Sequence, residues 1–134
     1  MIVKKLYFTG ILTFFFFWIS CQSHKGKPKA EVLKNIIDKG NVHLGNAAEA
    51  NFYIKNVGIG DLYIKDIIPD CYCTTPAWSK KPILSSDSTK ITVIIKKEYI
   101  GIFQQVVKVI CNTDEKIILL VVRGKFVKDE EKAR

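Results

Sequence analysis

The chain has 134 residues, of which 48% are hydrophobic, enough apolar material for one packed core and too little length for two ordinary domains. Lys and Arg number 21 against 13 Asp and Glu, a formal net charge of +8. That excess is modest, and with no recognition motif beside it nucleic acid is excluded as an expected partner. A Gly-rich phosphate loop, a paired-carboxylate signature and an HExxH-type metal motif are all missing, so the enzyme classes that rest on them have no support.

The first element is a leader. Lys4 and Lys5 precede an apolar stretch, Leu6 to Ile19, that is shorter than the ~20 residues a membrane-spanning helix requires. It ends at Trp18-Ile19-Ser20-Cys21, which resembles the lipobox of bacterial lipoproteins in its small residue before a cysteine. Trp18 stands where an aliphatic is usual. Residues 1–20 therefore read as a lipoprotein signal peptide and Cys21 as the lipidation site, giving a membrane partner through the N-terminal lipid. Removing two lysines and no acids leaves +8 − 2 = +6. No acidic run follows Cys21, which favours the periplasmic side of the outer membrane. Residues 21–31 carry the lipidated cysteine and a polar tether interrupted by Gly26 and Pro28.

From Val32 to Val127 the chain falls into apolar runs of strand length separated by Gly, Asn, Asp, Pro and Ser, with no sustained helical period. A first strand or pair is expected between Val32 and Leu44, with Asp38-Lys39-Gly40-Asn41 as turn residues within it. Ala50 to Asn56 alternates, Phe52 and Ile54 against Tyr53 and Lys55. Leu62 and Ile64 share a face, and Ile67-Ile68 breaks the alternation, which places a bulge or strand end near Asp66. Pro69 to Asp87 reads as a long irregular segment. Strands resume at Thr89–Lys97, Phe103–Asn112 and about Lys116 to Val127, the last two joined by the tight turn Asn112-Thr113-Asp114-Glu115. Residues 128–134 form a charged tail. The fold class expected is all-β, an immunoglobulin-like antiparallel β-sandwich of about seven strands.

Phe52, Asn56, Gly58, Leu62 and Ile64, then Cys71-Tyr72-Cys73-Thr74-Thr75-Pro76 and Trp78, stand in an order that resembles one bacterial envelope family of unknown function. Its hallmark is a Phe-x-x-x-Asn-x-Gly strand end followed by Cys-Gly-Cys-Thr. Gly101-x-Phe103, Val107-x-Val109 and Leu120-x-Val122-x-Gly124 continue the likeness, which covers Ala50 to Val127. Tyr72 replaces the hallmark glycine, and Cys111 stands where the family usually has a small residue. The resemblance implies an immunoglobulin-like domain related to the Hydin type, a lipoprotein, and no established enzymatic activity.

Cys71 and Cys73 are the sharpest candidates for chemistry. Two thiolates two apart on an extended segment project to one side and suit Cu(I), but only Cys111 and His43 remain as further ligands, at no recognised spacing. No metal and no cofactor is assigned. The competing uses are a disulfide between Cys71 and Cys73, a disulfide from either to Cys111, or three buried thiols acting as small apolar residues. With Cys21 consumed by lipid, one cysteine stays unpaired whichever bond forms. Trp78 is read as folding the irregular segment onto the sandwich edge, and His43 as a surface or strand-end residue, with no serine, cysteine or carboxylate at a recognisable motif spacing from it.

The strand registers carry a second signal. If Ile91, Val93, Ile95, Val107, Val109, Leu120 and Val122 face the core, then Ile94, Val106, Ile110, Ile117, Leu119 and Val121 face outward and are also apolar. This is a candidate partner face for another envelope protein or a second copy, unless the N-terminal segment covers it. The function expected is a lipid-anchored, non-enzymatic binding or assembly module of the bacterial cell envelope. The alternative is a thiol-based Cu(I) or redox module at Cys71 and Cys73.

Overall fold

The computed structural model describes residues 26–128. The signal peptide, Cys21, the first part of the tether and nearly all of the charged tail lie outside the described residues. Among the described residues eight strands follow one another without a helix: β1 (Ala30–Val32), β2 (Ile36–His43), β3 (Ala48–Asn56), β4 (Ile64–Pro69), β5 (Thr74–Trp78), β6 (Ser88–Ile95), β7 (Gly101–Cys111) and β8 (Ile117–Val127). They form two four-stranded sheets, ordered β1-β3-β6-β5 and β2-β8-β7-β4. The two inner faces close over one core, the immunoglobulin-like sandwich expected from the strand pattern.

Strict alternation explains the best-formed strands. In β3 every second residue from Ala48 to Asn56 is buried, and β6 buries Ile91, Val93 and Ile95 against it. β7 and β8 contribute Phe103, Val107, Val109, Cys111, Leu120, Val122 and Phe126 from the other sheet. Each buried Val, Ile, Leu or Phe is worth roughly 1.5–3 kcal/mol of transfer free energy, so this double layer dominates the stability of the domain. Gly124 faces Phe103 across the β7–β8 ladder, where a Cβ would sit 3.0 Å from the Phe103 ring. The missing side chain lets that ring stack on Phe126, with centroids 4.9 Å apart.

Four details differ from the expectations. Residues 27–31, assigned to the tether, already belong to the sandwich: β1 pairs with β3, and Val57 and Ile59 donate to the carbonyls of Lys29 and Lys27. The run Asp38–Asn41 is a bulge inside β2 rather than a turn, with Gly40 at φ 60°. β2 runs parallel to β8, so the sandwich is not wholly antiparallel. The segment expected to be irregular holds β5 and a bridge from Leu62 to Ile83. β5 tolerates Pro76 because it is the edge strand of its sheet. The irregularity expected near Asp66 is present as a register shift between Ile64 and Asp66.

Candidate functional site

The loops gather at two ends of the sandwich. At the first, the chain enters through residues 26–29 and meets the loop after β3 and the β7–β8 turn. Asn56 organises this end. Its side chain is fully buried, yet Nδ2 donates to the carbonyls of Gly60 (2.8 Å) and Ile83 (2.9 Å), while Oδ1 accepts from the N–H groups of Gly58 (3.0 Å) and Lys29 (3.4 Å). Gly58 leaves room for the Lys27–Lys29 backbone, which any Cβ there would strike. Asn112 adds a second tie, accepting from Tyr63 N–H (2.8 Å) and donating to the Asp61 carbonyl (3.0 Å). An open groove of about 460 Å³ lies here, lined by residues including Lys27, Pro28, Ile59, Asp114 and Ile118. The sequence marks Asn56 as the close of a strand and, with Gly58, as part of the family hallmark, but gives it no structural role.

At the opposite end, the connection from β4 to β5 crosses between the sheets and carries Cys71-Tyr72-Cys73. Cys71 and Cys73 are bonded to each other, with Cα atoms 5.2 Å apart. Of the pairings open from sequence, this is the one the fold forms. Both cysteines are half-buried, and Tyr72 between them is wholly exposed. Backbone bonds hold the turn: Thr74 N–H donates to the Cys71 carbonyl (3.0 Å) and Lys96 N–H to the Cys73 carbonyl (3.0 Å). Cys73 N–H donates to Cys71 Sγ (3.1 Å). Cys111 is apart from this turn, at the far end of β7 opposite Ile64, buried and free. Burial alone pushes its thiol up from 9.0 to about 11.

A disulfide offers no thiolate pair to Cu(I), and among the described residues no cluster of three or more His, Cys, Asp or Glu side chains is arranged to hold a metal ion. His43 is exposed at the end of β2, opposite Val127. Trp78 ends β5, partly buried against the core, with the Lys80 ammonium 3.5 Å from its ring centroid. Its Nε1 is buried without a hydrogen-bond partner.

The outward apolar face is real but smaller than the strand registers implied. Ile94 must be removed from it: β6 lies in the other sheet, so Ile94 points out on the opposite side of the sandwich. Alternation reports a face relative to one strand and not which sheet that strand joins. The remaining residues form rows across β2-β8-β7-β4. Ile36, Val121 and Val106 are neighbours in one row, Leu119, Lys108 and Ile68 in the next, and Ile117, Ile110 and Asp66 in the third. Leu119 and Ile117 are 50% and 56% exposed, so the face is open among the described residues. The described residues from 30 to 43 do not cover it, because β1 joins the other sheet and β2 extends this one.

Solved structures share the fold. A protein of unknown function from Porphyromonas gingivalis W83 superposes with a TM-score of 0.65 at 18% identity, covering 74% of this chain and 47% of that one. This chain thus spans about half the length of that structure. The PapD-like domain 7 of human CEP192 gives 0.64 at 13% identity, with 78% and 89% covered. The Vibrio cholerae VesB protease gives 0.57 at 11% identity, with 75% and 31% covered. Likeness at these identities shows the fold alone. No curated protein matches the sequence. Residues 30–126, from the first residue of β1 to the penultimate residue of β8, match the family described as "Protein of unknown function (DUF1573)", and the chain belongs to that family.

Proposed function

We propose that the chain is a non-enzymatic binding or assembly module of the bacterial cell envelope, anchored by a lipid on Cys21 at the periplasmic side of the outer membrane. The observation that carries the binding role is the outward face of β2-β8-β7-β4, where exposed Ile36, Ile117 and Leu119 adjoin half-buried Val106, Ile110 and Val121, with Lys108 among them. Contiguous apolar patches on soluble proteins mark interaction sites, and a single sheet face of this kind fits a second copy or another envelope protein.

A lipid on Cys21 would hold the membrane close to the domain, because five residues separate Cys21 from Lys27, whose carbonyl accepts the Ile59 N–H, a reach of about 20 Å when extended. Anchored so, the Asn56 end faces the membrane and the Cys71–Cys73 end points away. The apolar face then stands on the flank, open to neighbours on the same membrane.

Association is measured by light scattering and chemical cross-linking of the full-length chain in membranes and in detergent. Wild-type protein is expected to cross-link into a defined larger species that Leu119→Lys and Ile110→Lys abolish. Unchanged cross-linking in both folded variants would remove the face from the account.

A further inference from the structure

We propose that the Cys71–Cys73 disulfide is redox-active, exchanging with an external protein dithiol through a mixed disulfide on Cys71. Its position comes first. The bond spans a single intervening residue at the outer corner where the chain crosses from one sheet to the other, beside the fully exposed Tyr72. Structural disulfides are buried and brace long loops, whereas this bond is only half-buried and closes a loop of three residues, so it braces little and stays within reach of a partner thiol.

The surroundings keep the sulfurs together when the bond opens. Asp70 N–H donates to the Val106 carbonyl, Thr74 N–H to that of Cys71, and Lys96 N–H to that of Cys73, each at 3.0 Å. None of these bonds involves sulfur, so the turn persists in the dithiol form, ready to close again. The two sulfurs also differ. Cys73 packs against the core and its Sγ lies 3.8 Å from Thr74 Oγ1. Cys71 Sγ is outside that cluster and accepts the Cys73 N–H at 3.1 Å, a donor that stabilises negative charge there. Cys111 cannot intrude, being buried at the other end of its strand.

The exchange balances without a further co-reactant. A thiolate of the partner dithiol attacks Cys71 Sγ, the bond to Cys73 breaks, and its electron pair leaves on Cys73 Sγ, which takes a proton from water. The partner's second thiolate then attacks its own sulfur in the mixed disulfide. Cys71 leaves as a thiolate held by the Cys73 N–H and is protonated by water. The partner is oxidised to a disulfide by two electrons, and Cys71 and Cys73 become a dithiol. An oxidised partner drives the same steps backwards.

The test equilibrates the folded full-length chain in glutathione buffers of increasing reducing strength, quenches with acid, and maps alkylated peptides. Cys71 and Cys73 are expected to become alkylated together while circular dichroism is unchanged, with Cys111 modified only in denaturant. Cys73→Ser is expected to form its glutathione adduct at Cys71 about tenfold faster than Cys71→Ser forms one at Cys73. A bond that opens only when the chain unfolds, or cysteines that alkylate with no reductant present, would overturn the proposal. Faster adduct formation at Cys73 would overturn the assignment to Cys71.

Discussion

The two ends of the sandwich are built from different materials. At the end where the chain enters, the buried amide of Asn56 makes four hydrogen bonds to backbone groups of three separate segments, and Asn112 ties the β7–β8 turn to the loop before β4. At the other end, the crossing connections are held by backbone bonds and one short disulfide, and Tyr72, Tyr99, Ile100 and Ile102 stand exposed. A buried polar node withdrawn from water is costly to disturb, while an exposed turn held by its own backbone is cheap to alter. One end is thereby fixed, and the other is free to carry chemistry.

The comparison breaks most readily at Asn56. Asn56→Ala takes away the partners of the Gly60 carbonyl and the Gly58 N–H, leaves the Ile83 carbonyl with the Leu62 N–H alone, and is expected to cost about 3 kcal/mol, read from denaturant unfolding. A loss below about 1 kcal/mol would mean that water replaces the amide and that the two ends are alike.

Cys111 gives the next effect, and its direction follows from linkage. Its folded value, about 11, lies above the 9.0 of an exposed thiol, so the unfolded chain loses its proton first. The stabilisation is complete below pH 9 and is lost as pH rises toward 11. Two units at about 1.4 kcal/mol each make this a loss of roughly 2–3 kcal/mol. Unfolding of wild type and Cys111→Val across pH 8–11 checks it, the variant being expected to lack that part of the alkaline decline.

The smallest effect belongs to the disulfide. Closing a loop of three residues constrains the unfolded chain by about 1.6 kcal/mol at most, so the double variant Cys71→Ser, Cys73→Ser is expected to lose no more than that. A loss equal to that of Asn56→Ala would make the bond a structural brace and erase the contrast between the ends.

Legibility in the sequence divides along physical lines. β3, β6, β7 and β8 are readable because each has one face in the core and alternates with period two, and the bulge near Asp66 is readable because it breaks that period. β2 was obscured by its own bulge, and its parallel pairing with β8 leaves no local signature. β5 was hidden by Pro76, which an edge strand accepts. Ile94 was misplaced because sheet membership is a property of the whole topology. At the candidate sites, the cysteines were visible as a cluster but their pairing waited on geometry that separates Cys111 from the turn. The role of Asn56 could not be read from a polar strand end alone, since its four partners are contributed by residues 27 positions away on either side as well as by its own loop.

The measurement that bears most directly on the proposed role is metabolic labelling of the full-length chain with a fatty acid, followed by membrane fractionation. Wild-type protein is expected to carry the label and sediment with the outer membrane, and Cys21→Ser to lose both. Label retained in Cys21→Ser, or wild-type protein unlabelled and free of the membrane, would contradict the account.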